Sequence, residues 1–202
     1  MYDFLEIQSV ENCDQAVLGF SIDSRSIRKG EVFIALKGET FNGHQFIEES
    51  LEKGAVAAVV DRQYTVSAEI KEKGTIVQVN NTLTALQQIA RKYRDQFNIP
   101  VIGITGSNGK TTTKEMIAEI LSIKFNTVKS QGNYNNHIGV PLSILQWDDE
   151  AEVAVMELGA NHFKEINTLC TILNPTHGVI TNIGKAHLEF FDSLEGVTKE
   201  KQ

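Results

Sequence analysis

The sequence predicts an α/β protein of two domains, a small α/β domain over residues 1–98 and part of a second over 99–202 with a mainly parallel sheet. Three observations predict it. Short apolar runs of strand length alternate with helical stripes. A Pro-containing break, "NIP", separates the two halves near residue 98. In "VIGITGSNGKTTTKEM" (101–116) an apolar run passes through a glycine-rich turn into a helical pattern.

In the first half, "EVFIALKG" and "AVAAVVD" read as buried strands bounded by Gly or charge. Between them "HQFIEESLEKG" carries Phe46, Ile47 and Leu51 on a helical period and stops at Gly54. "TIVQVN" is a further strand. It leads through Asn81 or Thr82 as N-cap into "LTALQQIARKYRDQF", where Leu83, Leu86, Ile89, Ala90, Tyr93 and Phe97 form one stripe. Pro100 cannot continue that helix and opens the strand "VIGIT". A helix, the strand "TVKS", the loop "QGNYNNHIGVP" and the strand "EVAVMEL" follow. A helix over "KEINTLCTIL", a strand "THGVITNI" and a helix from about Ser193 complete the pattern. The last segment, "EGVTKEKQ", has no Gly or Pro to close it, so the chain reads as cut in mid-helix.

Composition narrows the class. Apolar residues make up 41% and charged residues 22% of the 202, which suits a packed core. A net charge of -7 disfavours a nucleic-acid partner, whose phosphates it would repel. No run of roughly 18 apolar residues is present, so no membrane insertion is expected. The acidic start "MYDFLEIQSVE" lacks the basic region of a signal peptide, and a cytoplasmic protein is expected. Cys13 and Cys170 have no partner at metal-binding spacing and read as free or buried thiols.

The strict phosphate-loop pattern requires a Gly where Ile104 stands. The compact version Gly106-Ser107-Asn108-Gly109-Lys110-Thr111 keeps what the chemistry needs. Glycines let backbone N–H groups close round phosphates, and the helix N-terminus adds its positive end. Lys110 reaches the terminal phosphates and the Thr111 hydroxyl serves Mg²⁺. The nucleotide site is therefore expected over Thr105 to Thr112, with ATP and Mg²⁺ as ligands. Glu157 ends the strand "EVAVMEL" and is placed to direct a carboxylate at the same Mg²⁺. His187 lies just beyond another apolar strand, where a solitary imidazole is by itself a weak signal.

Taken together, "TGSNGKTT", "GNYNNHIGVPLSIL", "MELGANHFKEI" and "NIGKAHLEFFDSLEGVTKEK" resemble the Mur ligases. The segment "DSRSIRKGEVFIALKGETFNGHQFIEESLEKGAVAAVV" is similar to that family's uridine-nucleotide-binding domain. The resemblance implies a UDP-sugar domain over 1–98 and a truncated central ATPase domain over 99–202. It implies an ATP-dependent, ADP-forming ligase whose closest branch joins D-alanyl-D-alanine to UDP-N-acetylmuramoyl-tripeptide through an acyl phosphate. A third domain would complete the site, so weak or no ligase turnover is expected of these 202 residues. By the same resemblance Lys110, His187 and Lys201 are catalytic, with Glu157 and His187 serving two magnesium ions and Lys201 doing so if carbamylated. Ser24, Arg25, Lys37, Gly38 and His44 would contact the uridine diphosphate, and Asn135 and Asn136 the sugar.

Three alternatives remain open. Another, amino-acid-adding Mur ligase fits the first half nearly as well. A folylpolyglutamate-synthase-like ligase shares the ATPase domain, although residues 20–60 argue against it. A nucleotide-binding regulator would lack ligase chemistry; a guanine-specific one would show an NKxD-type motif, and none is present.

Overall fold

The structure is a computed structural model and describes residues 9–10 and 16–184. It divides into two compact units, Met1–Ile89 and Ala90–Gln202. The division falls inside the helix that the sequence reading places wholly before the boundary.

The first unit holds a five-stranded sheet in the order β1-β5-β4-β3-β2: β1 (Ser9–Val10), β2 (Gly19–Ser21), β3 (Glu31–Ile34), β4 (Ala57–Asp61) and β5 (Thr75–Val79). β2 to β5 are parallel, and β1 joins β5 antiparallel at the edge. β3 and β4 are buried except at half-buried Glu31 and Asp61, which is why they read as continuous apolar runs rather than alternating ones. A 3₁₀ turn (Gly43–Phe46) and α1 (Ile47–Glu52) connect β3 to β4. Ile47 and Leu51 of α1 pack with Phe33, Ala58 and Val60 of the sheet.

Four elements of the structure are absent from the sequence reading, the first being the two-residue edge strand β1. β2 is three half-buried residues with no apolar run. α2 (Ala68–Lys73) buries no residue and is marked only by its Ser67 cap, whose hydroxyl accepts from the Ile70 N–H. α5 (Gly139–Ile144) starts inside the expected loop, because "GVP" reads as a breaker. Pro141 is tolerated in its first turn, and Val140, Pro141 and Ile144 are buried.

α3 (Thr82–Arg94) starts as expected: Asn81 Oδ1 accepts from the Thr84 N–H at 2.9 Å. In the second unit its last turn supplies Arg94, a buried guanidinium that donates to the Leu173 and Asn174 carbonyls at 2.9 and 3.2 Å. Tyr93 and Phe97 pack against a core containing Trp147, Ile144 and Leu173.

The second unit carries a fully parallel four-stranded sheet in the order β7-β8-β6-β9: β6 (Val101–Thr105), β7 (Thr127–Lys129), β8 (Val153–Glu157) and β9 (His177–Ile180). α4 (Lys110–Ser122) follows β6, and α6 (Glu165–Leu173) precedes β9. Parallel strands present all their carboxyl ends at one edge, where a ligand crevice forms in open α/β sheets. No helix of the described residues is long and apolar enough to cross a membrane.

Candidate nucleotide site and the uridine-side loops

β6 ends at Thr105, and the chain turns into α4 through Gly106 (φ 144) and Gly109 (φ 77), both in the left-handed half of backbone space. Gly109 is the N-cap of α4 and has no side-chain cap bond. The first-turn amides of a helix have no acceptor within it, so Lys110, Thr111 and Thr112 present N–H groups and the positive helix end together. A Cβ at Gly109 would meet nothing within 4 Å among the described residues, which leave the hollow in front of the helix open.

The other wall is a latch from the end of β9. Asn182 accepts the Ser107 N–H through its carbonyl (3.1 Å) and the Asn108 N–H through its side chain (3.0 Å). Thr181 Oγ1 donates to the Asn108 carbonyl at 2.6 Å, and Ser107 Oγ exchanges bonds with Gly184. Ser107 and Asn108, expected as nucleotide residues, thus hold the loop's own shape. Lys110 Nζ reaches back across the loop to the Gly106 carbonyl at 2.9 Å.

Glu157, at the end of β8, is 3% exposed and faces this loop. Thr111 Oγ1 donates to its Oε2 at 2.7 Å and Asn135 Nδ2 to its Oε1 at 2.8 Å. Its backbone N–H donates to Ser130 Oγ at 3.1 Å. Both side-chain partners are neutral, and among the described residues no ion pair engages Glu157.

The donor chemistry fits a hard cation: a hydroxyl and a carboxylate oxygen side by side, with no sulfur or nitrogen. The buried Thr105 hydroxyl, at the mouth of the same loop, has no hydrogen-bond partner among the described residues, which fits a polar ligand there. No cluster of three or more His, Cys, Asp and Glu occurs among the described residues. His187 and Lys201, the other expected metal and catalytic residues, lie outside them, as do Cys13 and the expected last helix. Cys170 is a free thiol whose titration burial pushes up.

Asn135 and Asn136, expected to meet the sugar, serve the protein here. Asn135 holds Glu157, and Asn136 Oδ1 accepts the Ile138 and Gly139 N–H groups at the start of α5.

In the first unit the expected uridine-side residues lie on loops that leave the carboxyl ends of neighbouring strands. Ser24 is buried, and its hydroxyl donates to Glu49 Oε2 at 3.2 Å. Arg25 is exposed and forms a bidentate pair with Asp23, whose carboxyl is held down to about 2, chiefly by the hydrogen bond from that guanidinium. Lys37 and Gly38 form an exposed tight loop closed by the Lys37–Asn42 bridge. His44 is 4% exposed, with both ring nitrogens engaged. Nδ1 meets Asn42 Oδ1 at 2.9 Å, and Nε2 accepts the Asp61 N–H at 2.9 Å, which defines a neutral Nδ1–H tautomer. Burial holds its titration below the ordinary range.

A parallel sheet, a glycine loop opening a helix and a carboxylate on the adjoining strand end define a phosphate-binding-loop protein. The comparisons with known proteins are specific beyond that. The Mur ligase family catalytic domain matches residues 17–94 and the Mur ligase middle domain matches residues 104–202, and the chain belongs to the Mur ligase family. It is 42% identical over 189 residues to the UDP-N-acetylmuramoyl-tripeptide–D-alanyl-D-alanine ligase of Bacillus subtilis (strain 168), covering 93% of this chain and 41% of that protein. The Escherichia coli (strain K12) enzyme of the same name is 38% identical, with 95% and 41% covered. A crystal structure of MurF from Acinetobacter baumannii superposes with a TM-score of 0.83 at 40% identity, over 90% of this chain and 39% of that one. MurF ligase from Thermotoga maritima, in complex with ADP, gives 0.82 at 38% identity, over 94% and 43%. The chain thus spans about two fifths of the relatives it matches.

Proposed function

We propose that this chain is the UDP-sugar- and ATP-binding part of a cytoplasmic peptidoglycan-precursor ligase. In this reading it joins D-alanyl-D-alanine to UDP-N-acetylmuramoyl-tripeptide and releases ADP and phosphate. Residues 1–98 hold the UDP-sugar and residues 99–202 the ATP. The observation that carries the reading is the placement of Thr111 and Glu157 together beside an open glycine loop, in a chain about 40% identical to enzymes of that name.

A carboxylate resists an amine because its charge repels the nucleophile and oxide is a hopeless leaving group. The substrate carboxylate oxygen attacks the γ-phosphorus of ATP, the bond to the ADP oxygen breaks, and an acyl phosphate results. The dipeptide amine then adds to the acyl carbon, phosphate leaves with the electron pair, and the nitrogen gives up a proton to form the amide.

Phosphoryl transfer is mostly positioning and neutralisation of charge. The α4 amides and Lys110 orient the phosphates and offset their charge. Thr111 and Glu157 would hold Mg²⁺, which supplies Lewis-acid stabilisation of the transferring phosphoryl group. On the uridine side, exposed Arg25 and Lys37 are the cations available to a diphosphate. His44, with both nitrogens in use, shapes the loop that carries Lys37.

Calorimetric titration of the chain with UDP-N-acetylmuramoyl-tripeptide, with UDP and Mg-ATP as comparisons, tests the reading. Tighter binding of the UDP-sugar than of UDP supports it. Binding of Mg-ATP alone would reopen the other ATP-dependent ligases.

A further inference from the structure

Lys114 lies one turn along α4 from Thr111 and is completely buried. Burying an ammonium is costly unless it is paired and hydrogen-bonded. One turn further along, Ala118 packs on Ile104 and Val155, so an apolar side chain is what this side of α4 otherwise carries. Among the described residues the ammonium makes three contacts. It donates to the Ser130 carbonyl at 2.7 Å and the Gly132 carbonyl at 3.5 Å, and pairs with Glu115 Oε1 at 3.0 Å. Glu115 is itself held ionised, chiefly by Lys129 and then by Lys114.

Both carbonyls belong to the start of the loop between β7 and α5. Residues 131–134 of this loop are exposed, so apolar burial does little to fix it. Yet its two ends do close work at Glu157. Ser130 Oγ accepts the Glu157 N–H, Asn135 Nδ2 donates to Oε1, and the Asn135 carbonyl accepts the Gly159 N–H at 2.8 Å. Thr111, on the same helix as Lys114, takes the other carboxylate oxygen.

We propose that Lys114 is a positioning residue that ties the 130–135 loop to the phosphate-loop helix, so that Ser130 and Asn135 hold Glu157 opposite Thr111. Its importance for Mg²⁺ rests on the reading of Glu157 as the metal carboxylate; its hold on the loop does not. α4 thus controls both sides of the carboxylate, one directly through a hydroxyl and one at a distance through an ammonium.

Two measurements on Lys114→Met test this. Amide hydrogen exchange without ligand is expected to quicken about tenfold at Gly159 and Glu157, with β6 amides unchanged. The Mg²⁺ concentration that half-saturates the metal-dependent gain in ATP binding is expected to rise about tenfold, with ATP binding in EDTA within about twofold of the unsubstituted chain. Lys114→Arg, which keeps the charge and donors, should recover part of both effects. Unchanged exchange at Gly159 and Glu157 would overturn the proposal. So would equal losses of ATP affinity with and without Mg²⁺, which mark general damage to the fold. If the unsubstituted chain shows no gain from Mg²⁺, the metal reading of Glu157 fails and the exchange result alone decides for or against Lys114. Should Lys114→Met not fold, Lys114→Gln, which keeps an amide donor, carries the same two measurements with the same outcomes.

Discussion

The hydroxyl of Thr111, in the first turn of α4, donates to the carboxylate of Glu157 at the end of β8 over 2.7 Å. Two residues 46 positions apart in the chain thus present adjacent oxygens at the mouth of one loop. Glu157→Gln keeps the shape and an acceptor for Thr111 but removes the charge. It is expected to fold with stability within about 1 kcal/mol of the unsubstituted chain. Its apparent Mg²⁺ affinity in the presence of ATP should fall about 100-fold. Thermal melting and a Mg²⁺ titration of ATP binding check the two halves, and an unchanged Mg²⁺ requirement would remove Glu157 from the metal site.

The two positive-φ glycines of the loop separate on substitution. At Gly106 an added Cβ would overlap the Thr181 hydroxyl and press on the Asn182 backbone, so Gly106→Ala breaks the latch. A loss of roughly 3 kcal/mol in stability is expected from denaturant unfolding. At Gly109 the same Cβ meets no atom of the described residues within 4 Å, and the expected cost is the left-handed strain, about 1–2 kcal/mol. There the larger effect is on ATP, because the methyl group enters the hollow where phosphates would lie. Calorimetry on Gly109→Ala should therefore show lost ATP affinity in a protein that still folds.

The buried His44 gives the first unit a sign-definite response to acid. Its folded-state titration is lowered first by burial, with Asp61 opposing and Lys37 assisting. Above the unfolded value of about 6.5 both states are neutral and the group contributes no pH dependence. As pH falls below that value the unfolded chain takes up a proton that the folded chain resists, so stability declines. Denaturant midpoints measured from pH 7.5 to 5.5 should fall more steeply for the unsubstituted chain than for His44→Gln. Parallel curves would exclude His44 as the cause.

Arg25 tests the uridine side. Its pair with Asp23 is on the surface, and such pairs contribute little to stability. Arg25→Ala is expected to leave the melting temperature unchanged and to weaken UDP-N-acetylmuramoyl-tripeptide binding about tenfold. Unaltered affinity would reduce the pair to a surface feature.

The buried strands β3, β4, β6 and β8 were legible because parallel strands covered on both faces leave continuous apolar runs. The amphipathic stripe and Asn81 cap of α3 were legible for the same reason: both are local signals. What escaped lacks a local signal. α2 has a single half-buried apolar residue, Ile70, and no stripe, and α5 has glycine and proline in its first three positions. At the site, residues 105–112 and Glu157 could be named from strand ends and glycine spacing. The Thr181–Gly184 latch and the roles of Ser130 and Lys114 depend on pairings across 16 to 77 positions, which no window of sequence displays. His44 illustrates the converse. The family resemblance proposes it as a ligand contact, and the sequence does not display the partners that its two ring nitrogens have within the chain.

The latch has a consequence for the order of events during synthesis. The glycine motif is translated by residue 111, but the groups that give it shape, from Thr181 to Gly184, emerge some seventy positions later, after β8 and α6. Contacts of such sequence separation form late, because the intervening chain must first be ordered. A nascent chain that has not yet exposed β9 therefore carries the complete motif without the wall that sets its curvature. A nucleotide hollow shaped by this latch is therefore expected to form only after β9 has emerged.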